Sequence, residues 1–280
     1  PGFTAHAKVG HEVTLTFTTS DPIQTPTVVF TSNGAAVAGV VTYNNPANKR
    51  SWTAQYTTQN GDTAGTVGYT IDFTNLAGID GADVNSGHTT NVTFDKTAPN
   101  ITAVGIASNN AAPGPTTHAK VGHEVTLTFT TDEKIRNPTV VFTSNGAAVA
   151  GANTPVNVSG DKKNWTAKYT TAGSDQAGVV GYSIDFDDLA GNDNGTDVNS
   201  GHATNVTFDK TAPTVGTVSL VSAQTPPTLA KVGDRVTLTF VTNEKIQTPT
   251  VVFKSNGQTV AGGNTPTSTG GDKRNWTTSY

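Results

Sequence analysis

The sequence predicts an all-β fold in which antiparallel β-sandwiches follow one another along the chain. Two observations indicate strands and turns. Apolar residues alternate with threonine in many short segments, and clusters of Gly, Pro, Asn and Asp separate these segments. No stretch has the apolar spacing of a helix without being interrupted by Gly, Pro or Thr clusters.

A third observation, the return of one strand-forming sequence, predicts the tandem arrangement. HAKVGHEVTLTFTT begins at residue 6 and again at residue 118, and the similar LAKVGDRVTLTF begins at residue 229. The repeat is thus about 112 residues long, the size of a whole domain rather than of a solenoid unit. We predict three units, residues 1–98, 99–212 and 213–280. The first is expected to lack its first strand and the third its last strands, as in a piece of a longer protein.

The middle unit shows the strand pattern most fully. Alternation predicts strands at residues 124–131, 138–143, 164–170, 179–186 and 204–208. About seven short strands in a unit of this length are typical of an immunoglobulin-like sandwich. We therefore expect tandem immunoglobulin-like domains arranged end to end. Each unit has one tryptophan, and these are predicted to lie in the cores: Trp52, Trp165 and Trp276.

The composition excludes several classes of protein. The chain has no cysteine and a net charge of −4. Disulfides, thiolate metal sites and an electrostatic footprint for nucleic acid are therefore absent. No apolar run is long enough to span a bilayer. No nucleophile-elbow, phosphate-loop, zinc-protease or dinucleotide motif occurs, so we expect no enzyme activity.

Three segments resemble the bacterial immunoglobulin-like repeats of giant cell-surface adhesins, of the biofilm-associated and RTX types. VTFDKTAP closes a unit at residues 92–99 and 206–213, AKVGHEVTLTFTTDEKI covers residues 119–135, and DLAGN covers residues 188–192. The resemblance implies an extracellular location at the cell surface and calcium ions at the junctions between repeats.

The residues themselves also point to a site at the junctions. In an immunoglobulin-like topology the linker at residues 95–99 should meet the loops at residues 131–137 and 187–201 of the next unit. Several carboxylates converging on one place repel each other unless a cation neutralises them, and Ca²⁺ takes six to eight oxygen ligands. The candidate ligands are Asp95, Asp132, Glu133, Asp187, Asp188, Asn192, Asp193 and Asp197 at the first junction, and Asp209, Asn243 and Glu244 at the second.

A plainer interpretation of these residues remains open. Asp and Asn are common in turns, and the candidates could form a solvated acidic rim without an ion. If an ion is bound, it should stiffen the junction, and chelation should increase bending or lower the melting temperature. Five Asn-X-Ser/Thr sequences also leave glycosylation open, although such matches arise by chance in a chain rich in Asn and Thr: Asn91, Asn157, Asn164, Asn205 and Asn275.

Three functional hypotheses follow from the sequence. The first is a structural extender segment of a large extracellular adhesin, whose partners are the neighbouring repeats of the same chain. The second is a subunit of an ordered surface assembly, such as a surface layer or filament, with lateral self-association of chains. The third is multivalent ligand binding, for example to glycans. The third would require exposed aromatic side chains, whereas all three tryptophans are predicted to be buried.

Overall fold

The protein is all-β, and its strands form three sandwich units in tandem. The computed structural model describes residues 6–44, 46–87, 91–110, 115–151, 154–193, 195, 197–198 and 205–280, with residues 197 and 198 described by backbone alone. No helix in this part of the chain could cross a membrane. The one helical segment there is a single 3-10 turn, Thr269–Gly271.

Repeat 1 is a sandwich of two sheets. Its strands are β1 (His6–Ala7), β2 (Glu12–Thr18), β3 (Thr27–Ser32), β4 (Ala35–Ala36), β5 (Thr42–Tyr43), β6 (Ser51–Thr57), β7 (Gly65–Asp72) and β8 (Val92–Phe94). One sheet has the order β1-β8-β7-β3-β4 and the other the order β2-β6-β5. β1 and β8 are parallel, and the other pairs are antiparallel.

Repeat 2 has the same layers and one strand more at the edge of its second sheet. Its strands are β9 (Ile101–Ser108), β10 (His118–Ala119), β11 (Glu124–Thr131), β12 (Ile135–Ser144), β13 (Ala147–Ala148), β14 (Val156–Asn157), β15 (Asn164–Thr170), β16 (Gly178–Asp188), β17 (Asp197–Val198) and β18 (Val206–Phe208). The sheets have the orders β10-β18-β16-β12-β13, with β17 also on β16, and β14-β15-β11-β9.

Two strands of repeat 2 are longer than the alternation predicts. β12 begins at Ile135 and β16 continues through Asp188, because Ile135 pairs with Asp188 and Arg136 with Asp187 beyond a register shift. The polar side chains at these positions hide the pairing from a pattern of alternating apolar residues. Asp187 and Asp188 therefore end a strand, and the expectation that both lie in a loop is wrong.

Repeat 3 has one full sheet among the described residues and a two-stranded second layer. Its strands are β19 (Val215–Ser222), β20 (Val236–Thr242), β21 (Lys254–Ser255), β22 (Gln258–Thr259), β23 (Thr267–Ser268) and β24 (Asn275–Ser279). The larger sheet has the order β19-β20-β24-β23, and β21 pairs with β22.

The cores of repeats 1 and 2 lie between their two sheets. In repeat 2, Trp165 and Tyr169 are buried in a cluster that includes Val125, Leu127 and Phe142, as the sequence predicts. The rings of Phe142 and Tyr169 lie 5.1 Å apart, a spacing typical of favourable aromatic pairs. The other two tryptophans, Trp52 and Trp276, are also buried. Aromatic packing thus replaces the disulfide that this chain cannot form.

Candidate metal centre at the first domain junction

The linker after β8 is bonded back onto repeat 1. The main-chain N–H of Asp95 donates to the carbonyl of Ala7 at 2.8 Å, and a carboxylate oxygen of Asp95 accepts the N–H of Thr97 at 3.0 Å. The ammonium of Lys96 donates to two carbonyls of one loop, those of Asn60 and Asp62, each at 2.9 Å. These bonds fix the direction in which the chain leaves repeat 1.

Repeat 2 adds two contacts to the same place. The ammonium of Lys8 in repeat 1 donates to the carbonyl of Gly191 at 2.6 Å. The side-chain amide of Asn192 donates to the carbonyl of Asp95 at 3.1 Å. Pro99, which fixes φ in the linker, is buried. The first junction is therefore a set of directed hydrogen bonds between two repeats.

Three carboxylates meet at this junction, and we call Asp95, Glu133 and Asp188 the carboxylate cluster. One oxygen from each lies within 4.8 Å of the others. Asp95 comes from the linker, Glu133 from the turn between β11 and β12, and Asp188 from the end of β16. Two separate repeats thus contribute to one group of negative charges.

The environment of Glu133 differs from that of its neighbours. Burial, followed by the charges of Asp95, Asp188 and Asp132, raises the pKa of Glu133 to about 7. In a metal-free protein Glu133 is thus close to half protonated at neutral pH. A carboxylate in this position accepts either a proton or a cation.

Asp188 is held in a fixed orientation. It is only 1% exposed. One carboxylate oxygen accepts the main-chain N–H groups of Gly191 at 2.5 Å and Asn192 at 2.8 Å, and the other accepts the Asn192 amide at 2.8 Å. These bonds compensate the burial of the charge and aim the carboxylate at the cluster.

A cavity of about 290 Å³ adjoins the cluster, and a hard cation could reach the carboxylates through it. Asp95 and Glu133 line it together with Lys134 and Lys163. The ammonium of Lys163 donates to the carbonyl of Asp132 at 2.6 Å. Within the described part of the chain no lysine or arginine forms an ion pair with Asp95, Glu133 or Asp188.

The other candidate ligands at the first junction form hydrogen bonds or ion pairs away from the carboxylate cluster. Asp132 accepts the N–H of Asn100 at 2.8 Å and its amide at 3.2 Å, and these bonds lower the pKa of Asp132. Asp187 forms a bidentate ion pair with Arg136. Asp193 accepts the N–H of Gly195 at 2.7 Å. The structure brings together Asp95, Glu133, Asp188 and Asn192. The side chain of Asp197 lies outside the described residues.

The second junction reproduces the linker but not the cluster. Asp209 accepts the N–H of Thr211 at 2.8 Å, and Lys210 donates to the carbonyls of Gly173 at 3.1 Å and Asp175 at 2.7 Å. Asn243 accepts the N–H of Thr214, as Asp132 does that of Asn100. No group of three carboxylates forms here among the residues described. One carboxylate oxygen of Glu244 is buried and has no hydrogen-bond partner in the described chain.

Sequence reasoning missed the basic residues of the first junction. Lys96 and Lys210 occupy the same position in the two DKTAP linkers, and this recurrence could have predicted the linker contact. Arg136 and Asp187 carry a second signal, because the equivalent pair in repeat 1 is Gln24 and Thr74. The two positions change together, as contacting residues do.

The asparagines of the glycosylation-like sequences are not equivalent. The amide of Asn164 donates to Asp161 at 2.6 Å, that of Asn275 donates to Asp272, and that of Asn157 donates to the carbonyl of Asn164 at 3.1 Å. These three amide groups form part of turn structures. Asn91 and Asn205, which precede β8 and β18, are exposed.

Comparison with known proteins gives likenesses of structure alone. No family model matches the chain, and no curated protein matches it. Among solved structures, a titin three-domain fragment with an E-to-A mutation is 9% identical, with 98% of this chain and 83% of the other covered, at a TM-score of 0.38. The ectodomain of mouse nectin-like molecule 4 is 13% identical, with coverage of 99% and 86%, at 0.28.

A marsupial T cell receptor is similar at the same level, with 13% identity, coverage of 98% and 90%, and a TM-score of 0.35. TM-scores below 0.5 give these likenesses no weight for the fold or the function. The fold rests on the strand pairing described above.

Proposed function

We propose that this chain is a spacer segment of a large extracellular surface protein, in which a Ca²⁺ ion fixes the angle between repeats 1 and 2. The observation that carries the proposal is the carboxylate cluster. Its three carboxylates come from both sides of the first junction and lie within 4.8 Å of one another. An ion bound by all three would be shared between the repeats.

The donor set fits a hard cation. Asp95, Glu133 and Asp188 would supply carboxylate oxygens, and Asn192 has its amide nitrogen engaged with Asp188 and with the carbonyl of Asp95, which leaves its oxygen as a fourth candidate ligand. Water would complete the six to eight oxygens that Ca²⁺ takes. A divalent cation would offset both the burial of Glu133 and the repulsion from its neighbours, which otherwise favour a proton on this carboxyl group.

The spacer role is supported by contacts that need no ion. The Lys96 ammonium ties the linker to repeat 1, and Lys8 reaches the carbonyl of Gly191 in repeat 2. A linker of five residues held at both ends bends less than a flexible chain of equal length. The location on a bacterial surface and the adhesin type rest on the resemblance of the DKTAP-containing segments. The expectation that the chain is not an enzyme stays a prediction.

Calorimetric titration with Ca²⁺ tests the proposal. The natural chain should bind one ion at the first junction, and Glu133→Gln, which keeps the shape and removes the charge, should abolish that binding. Glu244→Gln changes the equivalent position of repeat 3 and should leave Ca²⁺ binding at the first junction intact. A natural chain that takes up no Ca²⁺, or a Glu133→Gln variant that binds it as well as the natural chain, would refute the metal site.

A further inference from the structure

Five asparagines of this chain are followed by glycine, a sequence in which the side chain can react with its own main chain. Asparagine is thermolabile, and it reacts most readily before glycine, because no Cβ hinders the attack of the glycine nitrogen on the asparagine Cγ. Asn33, Asn145 and Asn256 lie in hairpin turns, Asn60 lies in a different turn, and Asn194 is outside the described residues. The structure separates Asn60 from the three hairpin asparagines.

The hairpin asparagines are held in place by their surroundings. Their φ angles are +50° at Asn33 and Asn145 and +47° at Asn256, in two-residue turns between paired strands. A Cβ built on Gly65 would lie 2.9 Å from the Cγ of Asn33, and one built on Gly178 would lie 2.8 Å from that of Asn145. The two Cγ atoms therefore pack on main chain, and bringing a glycine nitrogen to them disturbs a pair of strands.

Asn60 and Gly61 occupy the exposed centre of the turn between β6 and β7. The N–H of Asp62 closes this turn by donating to the carbonyl of Gln59 at 3.0 Å. Neither Asn60 nor Gly61 has a positive φ, and a Cβ built on Gly61 would meet no atom within 4 Å. Among the described residues the amide group of Asn60 and the N–H of Gly61 form no hydrogen bond. The two reacting atoms are thus unhindered.

An ammonium group is bonded to the peptide that would react. Lys96 donates to the carbonyl of Asn60 at 2.9 Å, and this carbonyl belongs to the same amide as the N–H of Gly61. When the Gly61 nitrogen loses its proton, negative charge spreads to that oxygen, where the ammonium stabilises it. In the described chain no lysine donates to the carbonyl of a hairpin asparagine. The contact that holds the linker therefore also activates the nucleophile.

We propose that Asn60 is a site of spontaneous modification, at which the side-chain amide is lost and a carboxylate forms beside Lys96. The Gly61 nitrogen bonds to the Cγ of Asn60, and the side-chain nitrogen leaves with the displaced proton as ammonia. One water molecule then opens the cyclic imide at either carbonyl. Opening at the main-chain carbonyl gives isoaspartate, and opening at Cγ gives aspartate. Either product puts a negative charge on the residue that Lys96 contacts, so a hydrogen bond to a neutral group is replaced by an ion pair.

Peptide mapping by mass spectrometry after incubation in mildly alkaline buffer tests the site. Asn60 should convert first, with the mass gain of an amide-to-acid exchange, while the three hairpin asparagines remain largely unconverted. Gly61→Ala should keep the fold, because its Cβ has room, and should block the conversion by hindering the nitrogen. The proposal is overturned if Asn60 stays intact, if it converts no faster than the hairpin asparagines, or if Gly61→Ala converts like the natural chain.

Repeat 2 offers a matched position for a gain of the same reaction. Gly173 and Ser174 are the equivalents of Asn60 and Gly61, and Lys210 donates to the carbonyl of Gly173 at 3.1 Å. Gly173 has no positive φ, and a Cβ built on it would meet no atom within 4 Å. The double variant Gly173→Asn with Ser174→Gly should therefore fold normally and convert at position 173 as fast as at Asn60. A position 173 that stays intact would overturn the selection of the site by the turn and its lysine.

Urea unfolding tests the ion pair that the modification creates. Asn60→Asp reproduces one of the two products, and Lys96→Ala removes the ammonium. A double-mutant cycle should show favourable coupling between Asp at position 60 and Lys96 at low salt, and high salt should weaken it. Additive losses of unfolding free energy at low salt would show that the new carboxylate does not bind Lys96, and would overturn this part of the proposal.

Discussion

The side-chain amide of Asn192 in repeat 2 donates a hydrogen bond of 3.1 Å to the main-chain carbonyl of Asp95 in the linker. The same amide group donates to Asp188 at 2.8 Å. A single side chain therefore connects the linker to a buried carboxylate of the next repeat. The orientation of repeat 2 and the geometry of the carboxylate cluster are coupled through this residue, and each should respond when the other is disturbed.

The ion-independent part of the junction should weaken when Lys96 is replaced by Ala. The variant loses two hydrogen bonds from an ammonium to the carbonyls of Asn60 and Asp62. Each such bond contributes about 0.5–1.5 kcal/mol, and we expect broader interdomain orientations in residual dipolar couplings. Lys168→Ala removes an equal charge from an exposed ion pair with Glu124 inside repeat 2 and is the control. Couplings of the Lys96 variant that match those of the control would contradict the linker contact.

The metal-free chain should lose stability as the pH rises through the titration of Glu133. Its folded pKa of about 7 lies above the model-compound value of 4.5, mainly because of burial. The folded state therefore binds this proton more tightly than the unfolded state does, so the contribution is present below pH 4.5 and is lost as the pH approaches 7.

In EDTA the melting temperature of the natural chain should fall as the pH rises over this range. The melting temperature of Glu133→Gln should fall less. The difference between the two proteins cancels the other titrating groups. Parallel curves for the two proteins would mean that Glu133 titrates normally. Saturating Ca²⁺ should abolish this fall in the melting temperature, because the ion favours the ionised form of the carboxylate cluster.

The hydroxyl of Tyr56 is a buried polar group whose removal should not destabilise repeat 1. It has no hydrogen-bond partner among the described residues, and burial, followed by the charge of Asp62, raises the pKa of Tyr56 to about 12. Tyr56→Phe should leave the free energy of unfolding unchanged or raise it by about 1 kcal/mol. Tyr43→Phe is the control, since the N–H of Val28 donates to its hydroxyl at 2.8 Å, and it should lose about 1 kcal/mol. Urea unfolding measures the free energy of unfolding of both variants. A larger loss for Tyr56→Phe than for Tyr43→Phe would show that the Tyr56 hydroxyl has a stabilising partner.

Arg136 and Asp187 should behave as a coupled pair. Arg136→Gln leaves the carboxylate of Asp187 without its bidentate partner, and we expect a loss of about 0.2–1 kcal/mol, the range for partly exposed ion pairs. The double variant Arg136→Gln with Asp187→Thr reproduces the Gln24 and Thr74 pair of repeat 1 and should recover part of this loss. A double-mutant cycle by urea unfolding measures the coupling. Additive losses of unfolding free energy would show that Arg136 and Asp187 are not coupled. Their joint replacement by Gln24 and Thr74 in repeat 1 would then have another cause.

Strand positions and the site of convergence could be predicted from the sequence, because both follow from pattern and topology. Alternation located β11 and β15, and the immunoglobulin-like connection order brought the linker to the turn that contains Glu133 and to the end of β16, where Asp188 lies. Which carboxylates would join the cluster and which would bind elsewhere could not be predicted. Asp132 and Glu133 are adjacent in sequence, yet one binds Asn100 and the other faces Asp95.

That difference depends on side-chain directions and local hydrogen-bond donors, which spacing does not reveal. The extent of β12 and β16 was hidden for a related reason. Arg136 and Asp187 are polar and partly exposed, but their main chains pair, and their side chains satisfy each other.

Spin labels placed on either side of the first junction measure the central claim most directly. Thr16 and Thr128 are exposed, occupy equivalent positions in repeats 1 and 2, and can be replaced by the chain's only cysteines. With Ca²⁺ bound, the distance distribution between the two labels should be narrow. In EDTA, or in Glu133→Gln with Ca²⁺ present, it should broaden. Distributions of equal width in all three samples would show that no ion fixes the angle between the repeats.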